Sequence, residues 1–171
     1  MINDGSRDNT WEVIKSLVDK HKNTNNKHKL IGLTYLKNAG KGHAVRTGMN
    51  HSRGDYTLMV DADGATDVNE INTFLNLMNK KVKENGENSS IIIAGSRYHL
   101  SENNKVTRNF SRKFVSLVNS FFVHSLIGIK NIRDTQCGFK MFTRSANKYL
   151  ANKMHLNRWA FDIELFYIAQ R

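Results

Sequence analysis

Residues 56–66 read "YTLMVDADGAT", a β-prone run from Tyr56 to Val60 that ends on two aspartates one residue apart, then Gly64 and a small polar turn. Aromatic and β-branched residues in a short run bounded by a turn signal predict a strand. Side chains at i and i+2 of an extended segment share a face, so Asp61 and Asp63 are expected to converge. Taken alone, the pair has two readings. It is a ligand set for Mg²⁺ or Mn²⁺, hard cations that take few protein carboxylates and complete their shell with phosphate oxygens. Or it is a polar turn ahead of a helix cap.

Outward from this stretch, the chain alternates strands and helices. Residues 10–22 place Trp11, Ile14, Leu17 and Val18 at helical spacing. Residues 30–36, "LIGLTYL", read as a strand, and 40–54 as a helix opened by glycine and closed by Gly54. An amphipathic helix is expected over 67–84, with Ile71, Phe74, Leu75 and Met78 on one face. An apolar strand follows at 90–97, a long helix at 105–128, a strand at 138–142, and a last helix from Phe161. This order predicts an α/β fold with a mostly parallel sheet covered by helices. Ligands of such sheets bind at the carboxyl ends of strands, where Asp61 and Asp63 sit. The polar "KENGENSS" (83–90) reads as a surface loop, leaving one domain over 1–171. Only Met1 and Ile2 precede the turn-like "NDGSRDNT", and "FDIELFYIAQR" ends without a stop signal, so the chain is expected to be a fragment lacking most of a first strand.

Composition narrows the partners. The chain has 171 residues, 39% of them apolar, and a net charge of +11, enough for one core and suited to anionic partners. Its single cysteine, Cys137, excludes an internal disulfide and fits a reducing compartment. The polar residues after Met1 give no sign of a secretory leader. No uninterrupted apolar run reaches about 18 residues, so no spanning helix is encoded in this stretch. Basic residues are dispersed and no nucleic-acid-reading motif occurs, which argues against a nucleic-acid module.

Further candidates lie in the loops. "NAGKGHAVRTGM" (38–49) offers Gly40 and Gly42 for close backbone approach, free N–H groups at a helix start, and the charges of Lys41 and Arg46. It lacks the Gly-Lys-Ser/Thr ending of a P-loop, and Val45 replaces the third glycine of Gly-x-Gly-x-x-Gly. An ordinary helix start explains it equally well. Arg97, His99, Arg133, Asp134, Gln136 and Lys140 fall in or beside predicted loops, as site residues or as surface ion pairs. Asp162 and Glu164 open the last helix, where its dipole favours acids, and Trp159 nearby offers a face for a sugar. Within 105–128, Lys105, Arg108, Arg112 and Lys113 precede an aromatic-rich apolar run, a pattern of either a membrane-surface helix or a core helix.

Together, "NDGSRDNT", "NAGKGHAVRTGM", "VDADGAT", "AGSRYHL", "IRDTQCGFKMFTR" and "RWAFDIELFYIAQ" resemble the dolichyl-phosphate β-glucosyltransferases of the inverting glycosyltransferase family 2, from Asn3 to Gln170. The first three blocks are shared by many nucleotide-sugar transferases. "RDTQCGFK" and "RWAFDIEL" are narrower. Mannosyl relatives usually carry Gln as a metal ligand two residues after the second aspartate, where this chain has Ala65. The resemblance implies a GT-A fold, UDP-glucose as donor, dolichyl phosphate as acceptor and the cytosolic face of the endoplasmic reticulum membrane as location. It also implies a preceding membrane anchor. By the same analogy Asp4 would bind uridine, Lys41 and Gly42 would line the nucleotide pocket, Asp61 would contact the ribose or the metal, and Asp63 would be the principal metal ligand. Arg97, Arg133, Gln136 and Lys140 would surround sugar and acceptor phosphate, with Asp162 as a further catalytic carboxylate. Related polyprenyl-phosphate mannosyl transfer, or an inactive fragment of the enzyme, are the alternatives.

Overall fold

A computed structural model describes residues 1–24, 27–64, 66–96 and 134–171. Ala65, Arg97, His99, Arg133 and the helix expected over 105–128 lie outside the described residues.

β1 (Ile2–Asn3) pairs in parallel with β2 (Leu33–Thr34), with α1 (Thr10–Lys22) between them in the chain. The Leu33 N–H donates to Met1 O and the Tyr35 N–H to Asn3 O, so hydrogen bonding runs on past the strand ends. β2 is shorter than the expected 30–36 because a strand extends only as far as its partner supplies backbone groups.

β3 (Tyr56–Val60), β4 (Ile92–Ala94) and β5 (Phe139–Thr143) form a second sheet in the order β3-β5-β4. β5 is antiparallel to both neighbours, with Val60 opposite Phe139 and Ala94 opposite Lys140. The α/β class stands, but the expectation of a mostly parallel sheet needs correction. β3 and β4 run the same way yet are separated by a strand that enters from the other end. Hydrophobic periodicity reports that a strand exists, not its direction.

The helices follow local signals. α2 (Lys41–His51) starts at Gly40, whose φ of 101° favours glycine. It stops before the expected Gly54 because Ser52 turns extended and its Oγ donates to Met49 O at 2.8 Å. The Asp67 side chain accepts from the Asn69 N–H and starts a 3₁₀ turn, Val68–Glu70, that leads into α3 (Ile71–Asn85). α4 (Arg144–Lys153) was not expected from sequence; its N-cap Thr143 accepts from the Ala146 N–H. α5 (Phe161–Ala169) closes the described fold. No helix among the described residues is long and apolar enough to cross a membrane.

β5 is the axis of packing, buried along its whole length. Its odd-numbered side reaches α3, where the Phe139 and Phe74 rings meet edge to face at 4.8 Å. On the other side Phe142 joins Met49, Leu150, Met154, Phe161, Leu165 and Phe166 from α2, α4 and α5 in one core cluster. Lys140 shares that second side, which places a charge inside the core.

Candidate active site

The carboxyl end of β3 meets the start of α2 and the first turn of α5. Asp61 leaves the strand with its N–H donating to Gly138 O at 3.0 Å, an extension of the β3–β5 ladder. Its carboxylate lies flat against Gly138, where a Cβ would stand 2.3 Å from both Asp61 Cγ and Oδ2. Lys41 Nζ, the first residue of α2, donates to Asp61 Oδ2 at 2.6 Å. Both side chains are about one quarter exposed, 27% and 25%, so the pair is reachable from solvent.

Asp63 does not share the extended geometry expected of it. The strand ends at Val60, Ala62 and Asp63 lie in a turn, and Gly64 has a φ of 70°. The i, i+2 rule therefore does not set their mutual direction. Asp61 is half-buried against Gly138, and Asp63 is exposed.

Behind Asp61, Asp162 in the first turn of α5 is 4% exposed and Lys140 is 0% exposed. Lys140 Nζ donates to Asp162 Oδ1 and to the Cys137 carbonyl, each at 2.6 Å, and lies 5.6 Å from the Phe166 ring centroid. Burial pushes the Asp162 carboxyl above its ordinary value; Lys140 opposes that shift, Lys41 more weakly, and the Asp61 charge adds to it. The four groups thus form two ion pairs within electrostatic reach of one another. Lys140, expected to meet an acceptor phosphate, is instead locked inside the core, because the even-numbered side of β5 faces α5 and not solvent.

The start of α2 also differs from expectation. Asp4 follows β1 and accepts from the Ala39 N–H at 2.8 Å, the Gly40 N–H at 2.9 Å and Asn38 Nδ2 at 2.8 Å. Gly5, at a φ of 66°, permits this approach, since a Cβ there would lie 2.6 Å from Asn38 N. The His43 N–H donates to Asn157 O. The amides expected to await an anion are thus largely taken by the protein itself. Gly42 packs against Leu156 O and Phe161 Cβ, both within 3 Å of where its Cβ would be, instead of lining a nucleotide pocket. Arg46 is likewise committed, donating to Met154 O at 2.7 Å and Asn157 Oδ1 at 3.3 Å.

Gln136 is exposed in the turn before β5, its N–H donating to Asp134 Oδ1 at 3.2 Å. Two residues that sequence reading undervalued organise the rim. Glu164 accepts from the His155 and Leu156 N–H groups at 2.9 and 2.8 Å, and Arg46 grips the same loop from α2. An acid in a first helical turn reads as a dipole partner, so sequence gave no signal that Glu164 caps a loop eight residues back. A cleft of about 310 Å³ opens beside this loop between Asp4, Asn38, Lys41 and Trp159.

As to a metal, no cluster of three or more His, Cys, Asp or Glu side chains suited to one occurs among the described residues. Among the described residues, the candidate donors at this strand exit are the carboxylate oxygens of Asp61 and Asp63. That donor set fits Mg²⁺ or Mn²⁺ completed by substrate phosphate oxygens, and the Lys41 ammonium against Asp61 shows that this position attracts positive charge.

An α/β core with a carboxylate pair just past the end of β3, beside a glycine-opened helix and the buried Asp162, is consistent with the GT-A fold, and the chain belongs to glycosyltransferase family 2, matched over residues 1–150. It is 42% identical to the dolichyl-phosphate beta-glucosyltransferase of Dictyostelium discoideum, over 100% of this chain and 50% of that protein. The dolichyl-phosphate beta-glucosyltransferase of Homo sapiens is 40% identical, over 99% of this chain and 50% of its own. One from Trichomonas vaginalis is 43% identical, over 99% and 48%. The chain spans about half the length of the curated relatives it matches.

Proposed function

We propose that this chain is catalytic-domain sequence of a transferase that moves glucose from UDP-glucose to dolichyl phosphate with inversion, at the cytosolic face of the endoplasmic reticulum membrane, supplying protein N-glycosylation. The carrying observation is the Lys41–Asp61 pair, 2.6 Å apart at the exit of β3, backed by the buried Asp162. The narrow blocks "RDTQCGFK" and "RWAFDIEL", and relatives named for this activity, support the choice of sugar and acceptor.

The acceptor is a phosphate, already anionic near pH 7, so no strong base is needed to activate it. One of its oxygens bonds to the glucose anomeric carbon from the face opposite the diphosphate as the bond from that carbon to the UDP oxygen breaks. The chain's task is alignment and charge stabilisation. Lys41 can turn from Asp61 toward the departing diphosphate. A Mg²⁺ or Mn²⁺ ion held by Asp61 and Asp63 would neutralise charge on that leaving group. Asp162, pinned by Lys140, fixes the field behind Asp61 and positions rather than deprotonates. Gln136, exposed in the turn before β5, would meet sugar or acceptor, and Asp4 would shape the uridine side by ordering the Asn38–Gly40 turn.

The test is radiolabelled transfer to a short-chain polyprenyl phosphate, offering UDP-glucose and GDP-mannose separately. Glucose transfer that drops at least about a hundredfold in Asp63→Ala, but not in the exposed control Asp19→Ala, is the expected result. Transfer from GDP-mannose alone would replace the donor.

A further inference from the structure

Trp159 is 73% exposed, although the residues on either side of it are held by several hydrogen bonds. Glu164 receives the N–H groups of His155 and Leu156, Arg46 holds Met154 O and Asn157 Oδ1, and the His43 N–H donates to Asn157 O. On the other side of the residue, the Phe161 N–H donates to Arg158 O at 3.2 Å. Gly40 and Gly42 let this loop lie against α2, since a Cβ on either would come within 2.3 Å of the Asn157 or Leu156 carbonyl oxygen. An indole left in water gives up apolar burial that a Trp side chain normally gains. Here a rigid mount aims it at one place.

That place is the cleft of about 310 Å³ shared with Ile2, Asp4, Asn38 and Lys41. Its size is at the low end for small-ligand sites and suits part of a nucleotide sugar. The cleft and the Asp61 site have Lys41 in common: its Nζ is 2.6 Å from Asp61 Oδ2 and 5.3 Å from the Trp159 ring centroid. A diphosphate drawn to Lys41 beside Asp61 would put one end of the ligand over the indole. The cleft is lined by Ile2, Ala44 and Trp159 together with the polar Asp4, Asn38, Lys41 and Arg158, a mixture that suits a flat group with apolar faces and polar atoms around its edge. A hexose, polar around its whole circumference, matches it less well.

We propose that Trp159 is the stacking platform for the base of the nucleotide donor, with Glu164 and Arg46 as positioning residues that hold its loop. This rests on the nucleotide-sugar reading above and adds a residue to it. Stacking on an aromatic face is tolerant of base identity, so Trp159 supplies affinity and leaves discrimination to the cleft edge.

The test follows tryptophan emission and calorimetry on the full chain, with uridine, UDP, GDP and glucose 1-phosphate as probes. Trp11 is the other tryptophan, and the Trp159→Phe spectrum, subtracted from wild type, isolates Trp159. Uridine and UDP are expected to quench Trp159 emission, and glucose 1-phosphate is not. Trp159→Ala should weaken UDP and GDP alike by about tenfold or more, and Trp159→Phe by less than about threefold. Glu164→Gln, with unchanged far-ultraviolet circular dichroism, should weaken UDP and shift the Trp159 emission maximum. Unchanged UDP affinity in Trp159→Ala overturns the proposal alone, while quenching by glucose 1-phosphate and not by uridine reassigns the platform to the sugar and overturns it too. Absence of UDP binding to wild type removes the nucleotide-sugar reading with it.

Discussion

At Lys140 the ammonium is out of contact with water and is held by the Asp162 carboxylate and the Cys137 carbonyl, each at 2.6 Å. Removing one partner of a buried ion pair strands the other charge, at a cost of about 3–5 kcal/mol. Lys140→Met is therefore expected to destabilise the fold by that amount in urea denaturation, and Lys140→Met with Asp162→Asn to recover most of it. A double variant no more stable than the single would mean that the pair is not coupled. Asp162 also gives a pH dependence. Burial raises its folded-state carboxyl above the unfolded value, so the folded state holds that proton more tightly. Its contribution to stability is complete below about pH 4 and is lost as pH rises through the folded midpoint. Measured against the double variant, wild type should lose stability as pH rises through that window; a flat or rising difference would refute the shift. Asp61 and its position at a strand exit were legible because both signals are local. The Lys140 role was not, because "GFKMF" shows no preferred face and the partner carboxylate is 22 residues away.

The elements carry the site through the join between β3 and β5. Gly138 sits at that join, its carbonyl receiving the Asp61 N–H and its bare Cα receiving the Asp61 carboxylate. Gly138→Ala would place a Cβ 2.3 Å from Asp61 Cγ and Oδ2, and the carboxylate must then rotate off Lys41. The expected result is a stability loss of about 1–3 kcal/mol with UDP affinity reduced at least about tenfold. Equal UDP affinity, read by calorimetry, would show that Asp61 orientation is unimportant. Helices with a clear apolar stripe, α1 and α3, were legible to within a few residues. α4 was hidden because its buried face is made of Ala146, Asn147, Leu150 and Ala151, two small residues and an amide that barely register as apolar. The one sequence clue was Thr143, an N-cap type directly after the strand. The antiparallel direction of β5 was hidden for a different reason: alternation and apolar content reveal that a strand exists but are the same whichever way it runs.

Across the whole molecule, 26 basic against 15 acidic residues leave a charge of +11, and the question is whether that charge acts as a field or as a patch. A field treats every lysine alike and attracts any anionic surface in proportion to net charge, with salt screening it over about 10 Å at 0.1 M. A patch concentrates the effect where basic residues adjoin an apolar run. Lys105, Arg108, Arg112 and Lys113, outside the described residues, precede such a run in sequence. Exposed Lys20, Lys80, Lys83 and Lys153 lie on described helices apart from it. Each basic residue near an anionic bilayer is worth about 1 kcal/mol, so neutralising the first four should weaken binding to phosphatidylserine vesicles by up to about a thousandfold at 0.1 M salt, and much less at 1 M. Neutralising the second four changes net charge equally, yet under the patch reading weakens binding by less than about fivefold. Equal loss from both sets in a vesicle-sedimentation assay would make the charge a field, and the membrane role of the 105–128 stretch would go with it.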